Sequence, residues 1–327
     1  MTDEVSAAPA DAVPRSGSAG KPSARGLIAV LAVAGLLAIA SVTTDGFATW
    51  ANAKAIVASV AVIGPVAVAA TLIMLSGSLF SLSLGVTAAI SGMLFLSLLD
   101  HGLLTGIVVT LVAGALVLAV QGWAIGAWGA NPVIITIGAG SVEAAVAVKL
   151  SNGNNVLAPA GFAGLDFLSR NILGLPMGVY LFAVVAAIVH ALLSRTSLGR
   201  GIYLVGQNRQ AAYVAGLPVT TIFAATFAIA GVCVALAGLV QAASITSANL
   251  AGQGTLTFDA TAAAVVGGNA VAGGRGSVPR TLAGVMIIAI VSDLLLIRGY
   301  STGMQLALKG LLVVTFVFMS EKSRVVR

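Results

Sequence analysis

Charge is scarce in this sequence: Asp, Glu, Lys and Arg make up only 8% of 327 residues, against about 25% in soluble domains. With 59% hydrophobic residues and a mean hydropathy of +1.08, the chain is excluded from the ordinary water-soluble globules. Cysteine is almost absent, since Cys233 stands alone in an apolar run, so no disulfide framework exists and the thiol reads as packing. Histidine occurs only as His101, in a short loop, and His190, within an apolar run. Neither has the neighbours that a metal centre or a proton relay requires. No Gly-x-x-x-x-Gly-Lys-Ser/Thr loop occurs, because the glycines from Gly267 to Gly276 lack the lysine that would reach phosphates. Gly138 and Gly140 do not complete a dinucleotide fingerprint. No clustered nucleophiles, metal ligands or paired carboxylates mark an embedded enzyme. The expectation is therefore a non-enzymatic chain with no cofactor and no metal.

What the sequence has instead is apolar runs long enough to cross a bilayer, which takes roughly 20 residues each. Ten candidate spans follow: Gly26 to Thr44, Ala55 to Leu75, Leu82 to Leu99, Leu103 to Gly122, Pro132 to Lys149, Pro176 to Ser194, Val219 to Ser244, Phe258 to Gly268, Val278 to Ile297 and Thr302 to Ser320. The expected organisation is a disordered cytoplasmic tail (1–25), rich in Ala, Pro, Ser and Gly, a permease domain (26–320) and a short cytoplasmic C-terminal tail (321–327). Gly26 to Thr44 is too long and apolar for a cleaved signal peptide. With the N-terminus cytoplasmic, ten crossings return the C-terminus to the same side. Eleven basic residues then fall in cytoplasmic segments, among them Arg195, Arg200, Arg209, Arg275 and Arg280, against four on the opposite face. That bias satisfies the positive-inside rule, so the net charge of +6 speaks for topology and lipid, not for nucleic acid.

The eighth span is the weakest. Glycines 252, 254, 267 and 268 bracket about eleven helical residues, roughly 17 Å at 1.5 Å per residue, which predicts a half-length helix shielded by its neighbours. Abundant small residues inside spans, such as Gly231 and Gly238, predict close helix packing. The longest polar connection assigned to the cytoplasm is 195–218, RTSLGRGIYLVGQNRQAAYVAGLP. Its centre, Gly206 to Gly216, reads as a short surface helix with a glycine at each end. Arg209 is then available for an acidic partner. The segment is either a docking element for a cytosolic protein or a solvated loop whose arginines hold topology.

Charges inside spans are costly and are functional candidates by default. Glu143, in the fifth span, either lines a wet cavity or is a buried structural acid. Asp259, two residues after Thr257, either caps the half-length helix against its dipole or faces the permeation path. Asp293 and Lys309 lie on adjacent spans joined by a short turn, and their depths predict an ion pair; Arg298 and backbone carbonyls are the competing partners.

The polar connection resembles the cytoplasmic loop of ribose-type monosaccharide permeases, which belong with the branched-chain amino-acid permeases of ATP-binding-cassette importers. In those, a threonine and Gly-Arg precede Gly-x-Asn-x-x-Ala-Ala and a further glycine; Thr196, Gly199, Arg200, Gly206, Asn208, Ala211, Ala212 and Gly216 match. Arg209 stands where an acidic residue is usual. Phe258 to Ala263, Gly267 and Gly268, and Gly273 to Ser277 resemble later motifs of the family. So do Gln305, Lys309 and Gly310 and, upstream, Pro132, Thr136 and Gly138. Two departures stand out: SLFSLSLG over Ser78 to Gly85 replaces a glycine-rich motif and puts Ser81 where an aspartate is usual, while Ser83 is kept; and Asp293 stands where asparagine is usual opposite the lysine.

The resemblance implies an all-α polytopic membrane protein of the large-spanning, cobalamin-importer-like fold. It implies a permease subunit for a small polar solute, most simply a monosaccharide, in the bacterial inner membrane. The partners it implies are a cytosolic ATPase that holds ATP and Mg, an extracytoplasmic solute-binding protein, and a second permease copy or paralogue. Gly199, Arg200, Gly206, Asn208, Arg209, Ala211, Ala212 and Gly216 become the coupling residues, and Ser81, Ser83, Glu143, Asp259, Asp293 and Lys309 the candidates for the translocation path. The rival readings are an ion-coupled secondary transporter, expected to show paired discontinuous helices, and the same importer role for a nucleoside, a furanone signal or a branched-chain amino acid.

Overall fold

A computed structural model describes residues 24–44, 46–159, 165, 170–251 and 253–325. The tail expected over 1–25 lies outside the described residues except for Ala24 and Arg25, which open the first helix. The described residues form twelve α-helices: α1 Ala24–Thr43, α2 Trp50–Leu75, α3 Leu84–Ser97, α4 Leu103–Trp128, α5 Pro132–Ser151, α6 Met177–Arg195, α7 Ser197–Gln207, α8 Arg209–Val214, α9 Val219–Ile245, α10 Gln253–Val266, α11 Val278–Ile297 and α12 Thr302–Val325. A 3-10 turn, Leu99–His101, joins α3 to α4. Among the described residues, strand is confined to two-residue clips: β1 Val156–Leu157 pairs antiparallel with β4 Ser247–Ala248, and β2 Asn171–Ile172 with β3 Leu175–Pro176. The architecture is all-α with these clips added.

Local chemistry sets the boundaries. The Thr49 hydroxyl accepts from the Asn52 amide and starts α2, and Asn131 does the same for α5 ahead of Pro132, a residue suited to the first helical position. Gly129 and Asn152 end α4 and α5 in the left-handed region. Six helices, α2, α4, α5, α6, α9 and α11, are long and apolar enough to cross a membrane. Shorter apolar helices are Val33–Thr43 within α1, all of α3, Thr255–Val266 within α10 and Thr302–Thr315 within α12.

Three boundaries differ from the sequence reading. The third span is not full length: α3 has 14 residues, about 21 Å, because the serine-rich stretch before it leaves the helix and bonds to α4 and α5. The Leu82 amide donates to Thr136 and the Ser83 hydroxyl to Gln121. The short helix α10 is real but starts at Gln253, five residues before the expected Phe258. Asp259 is therefore inside it and cannot cap it. Finally, α12 runs past the expected Ser320 to Val325; Glu321 to Arg324 contain neither glycine nor proline to stop the helix.

Helices α2 and α9 form the centre, with 78% and 72% of their apolar windows buried, against 22% for α4 and α5. Glycine makes this packing possible. A Cβ on Gly231 would lie 2.2 Å from the Gly114 carbonyl oxygen of α4, and one on Gly238 would lie 2.0 Å from that of Ala88 in α3, so α9 touches both neighbours backbone to backbone. The two short helices pack against each other, and the Gly85 amide at the start of α3 donates to Thr257 of α10 over 2.8 Å. One end of the bundle gathers α7, α8 and the C-termini of α2, α4 and α10. At the other, Arg298 after α11 donates to Thr43 and Thr44 after α1, and β1 meets β4.

Candidate functional site

The polar connection folds as two helices, not one. The Thr196 hydroxyl accepts from the Gly199 amide over 3.1 Å and starts α7; the Asn208 side chain accepts from the Ala211 amide over 2.9 Å and starts α8. Asn208 is extended, so it breaks the run that the sequence reading joined. Gly206 is consequently not a terminus. It lies inside α7 against the C-terminus of α2, where a Cβ would meet the Leu75 oxygen at 1.8 Å and the Gly274 nitrogen at 2.8 Å. Gly216 does end α8: its φ is +79° with nothing within 4 Å of an added Cβ, and the Leu217 amide donates to the Ala212 carbonyl. Gly199 is a third kind, its Cβ position 2.5 Å from the carbonyls of Leu192 and Leu193.

Around Gly206 three segments meet. The Gly274 amide donates to the Leu75 carbonyl over 3.1 Å, and the Tyr203 hydroxyl donates to the Gly276 carbonyl over 3.0 Å. Burial pushes the Tyr203 phenol above its ordinary value while the Arg280 charge pulls it back, so the hydroxyl keeps its proton at neutral pH. Beneath, Asn269 donates to Thr281 over 2.9 Å and accepts from the Ser277 amide, and Thr281 bonds to Thr71 of α2 over 2.7 Å. The surface pair α7–α8 is thus seated on α2 and on the glycine-rich loop between α10 and α11.

Arg209 corrects a second expectation. Its guanidinium donates to the carbonyls of Ile125 and Gly126, at 3.0 and 2.9 Å, and lies over the Phe223 ring. It satisfies the free carbonyls at the C-terminus of α4 and is not held out for an acidic partner. Arg200 is exposed. The outward face of α8 carries two large apolar side chains, Tyr213 and Val214, 73% and 80% exposed, beside the exposed Gln210.

Three of the residues singled out for the path, Ser81, Ser83 and Glu143, come together in one buried network. Glu143 of α5 accepts from Thr87 over 2.6 Å and from Gln121 over 2.7 Å. The Gln121 oxygen accepts from Ser83, which lies 3.2 Å from Ser81. Both carboxylate oxygens accept from this chain, which supports the structural reading of Glu143. Thr87 and Gln121 were missed from the sequence; Gln121 is the one amide in α4, a signal that was present.

The other three gather near the opposite end. The pair expected between Asp293 and Lys309 does not form: Lys309 Nζ lies 2.8 and 2.9 Å from the two oxygens of Asp259. Helix α12 leans more on α10 than on α11, which brings the lysine to the carboxylate inside α10. The Asn52 side chain faces Asp293, and Asp293 Oδ2 is buried without a hydrogen-bond partner among the described residues.

Long apolar helices with one buried ion pair among the described residues, and a two-helix platform at one end, mark a polytopic membrane protein. The sequence comparisons make this specific: the chain belongs to the family described as branched-chain amino acid transport system / permease component, whose model matches residues 52–317. It is 34% identical over 241 residues to the D-allose transport system permease protein of Escherichia coli, covering 72% of this chain and 73% of that one. It is 29% identical over 290 residues to the ribose import permease protein of Bacillus subtilis, covering 88% and 90%. To the autoinducer 2 import system permease protein of Yersinia enterocolitica it is 28% identical over 263 residues, covering 78% and 79%. No solved structure matches the chain. The protein is the permease subunit of an ATP-binding-cassette importer, a multi-pass inner-membrane protein whose ATPase is a separate chain.

Proposed function

We propose that this permease moves a monosaccharide delivered by an extracytoplasmic binding protein, as one of two copies above two ATPase subunits that hold ATP and Mg. The solute class follows the relatives, among which import permeases for allose and ribose cover most of both chains; the autoinducer 2 relative keeps a furanone signal as the second reading. Ten crossings, with both termini cytoplasmic, agree with six long and four shorter apolar helices and with the arginines of α7 and α8 at one end.

The observation that carries the coupling role is the seating of Gly206. Because α7 rests backbone to backbone on Leu75 and Gly274, displacement of α7–α8 by a motor moves α2 and the loop before α11 with it. ATP binding then favours one accessibility state to the extent that the motor binds that state more tightly. The exposed Tyr213 and Val214 are the contact surface.

The test is co-purification and stimulated ATP hydrolysis with the partner ATPase. Replacing Tyr213 and Val214 by Asp is expected to reduce both strongly while the permease still inserts. Unchanged association in a well-expressed variant would remove α8 as the docking element.

A further inference from the structure

Four charged side chains are buried among the described residues: Glu143, Asp259, Asp293 and Lys309. Three of them line one cleft of about 230 Å³ between α2, α10, α11 and α12. Only Ile63, Leu296 and Leu306 of its eleven lining residues are apolar, in a chain that is 59% hydrophobic. Four residues separate Asp293 from the end of α11, and seven separate Lys309 from the start of α12. These are depths of about 6 and 10 Å at 1.5 Å per residue. The cleft therefore sits in the outer part of the bundle, at the end opposite α7 and α8.

Its polar groups are unevenly satisfied. Asp259 and Lys309 hold each other through both carboxylate oxygens, so the one cation in the wall is already committed. Asp293 is 8% exposed and is faced by the Asn52 side chain, but among the described residues its Oδ2 accepts no hydrogen bond, nor does the Ser292 Oγ beside it have a partner. Glu143 shows the contrast, because there the chain itself supplies donors to both oxygens. A buried carboxylate oxygen without a donor is expensive in a medium of low dielectric, and the surplus here is of acceptors. A ligand rich in hydroxyl hydrogens supplies what is missing, while Ser59, Thr302 and Gln305 offer further donors and acceptors around it.

We propose that this cleft is a subsite of the translocation path in which the Asp293 carboxylate accepts hydroxyl hydrogens from a polyhydroxylated solute, with the Asp259–Lys309 pair as its fixed wall. The proposal rests on the reading of the chain as a monosaccharide permease and adds where the solute is held.

The test uses the full importer in proteoliposomes with D-allose and D-ribose as probes, and the purified permease for thermal-shift measurements with the same sugars and with sodium and choline chlorides. In Asp293→Asn, sugar uptake is expected to fall about tenfold, the equivalent of roughly one hydrogen bond to a charged group, while co-purification with the ATPase persists. The sugar is expected to raise the melting temperature of the wild type and not of this variant. If Asp293→Asn fails to assemble, Ser292→Ala and Gln305→Ala, which leave the charges in place, are expected to lower uptake in the same direction. Wild-type uptake by assembled Asp293→Asn, or by both substitutes where it fails to assemble, overturns the subsite, as does stabilisation by sodium or choline and not by sugar. Absence of ATP-driven uptake of either sugar by the wild type overturns the monosaccharide reading itself, a failure distinct from one confined to the variants.

Discussion

Single residues in this protein divide by whether their polar atoms are completed from within. Glu143 is complete: exchange to Gln turns one acceptor into a donor facing either Thr87 or the Gln121 amide. The expected loss is about 1–3 kcal/mol, read as a lower melting temperature in detergent. An unchanged value would show that the network does not hold α3, α4 and α5 together.

The buried ion pair gives a sharper residue-scale prediction. Lys309→Met alone strands Asp259 and should cost about 3–5 kcal/mol, whereas the Asp259→Asn and Lys309→Met double variant should recover much of that loss. Asp293→Asn should combine additively with Lys309→Met. Additivity for Asp259 and coupling for Asp293 would reverse the pairing described here. The sequence reading proposed Asp293 as the partner of Lys309 against other partners such as backbone carbonyls, and the structure gives Asp259 instead. Depth along two helices joined by a turn is readable from residue counts, but the lean of α12 onto α10 depends on packing between distant segments. The meeting of Ser81 and Ser83 with Glu143 was equally hidden, because the two serines precede α3 while Glu143 lies on α5, and Gln121 of α4 and Thr87 of α3 link them.

At the scale of elements, glycine positions that look alike in sequence do different things. Gly206 is required for contact and Gly216 for conformation. Gly206→Val drives a side chain into the Leu75 carbonyl and should destabilise by at least about 1–3 kcal/mol, lowering both uptake and stimulated ATP hydrolysis. Gly216→Ala meets open space and should cost only about 1–2 kcal/mol for its left-handed backbone, with uptake largely kept. Equal effects at the two sites would dismiss the seating of α7. The helix at this surface was legible in Asn208, Ala211, Ala212 and Gly216. Its division into α7 and α8 was not read, although Thr196 and Asn208 are each capping residues followed by helix formers. The short α10 was read correctly from its closing glycines. The shortness of α3 was not, because serines within an apolar run fit a span until their partners on α4 and α5 are known.

For the whole molecule, α7–α8 and the loop 267–277 gather at one end of the bundle, and Arg298, β1 and β4 at the other. A reporter active only in the cytoplasm, fused after Arg209, is expected to be active, and one fused within 152–159 silent. The opposite pattern would invert the coupling surface and the cleft together. The six long apolar helices were open to a reading of the sequence, since hydropathy is a local quantity. The central claim is that solute crosses this bundle because a separate ATPase displaces α7–α8, and not because an ion gradient drives it. Its most direct measurement is uptake of labelled sugar into proteoliposomes holding the permease, the ATPase and the binding protein, with ATP supplied on the ATPase side and all ion gradients collapsed. Uptake that persists under those conditions and stops when ATP is replaced by a non-hydrolysable analogue is the predicted result. Uptake by the permease alone, without nucleotide and dependent on an imposed ion gradient, would contradict it.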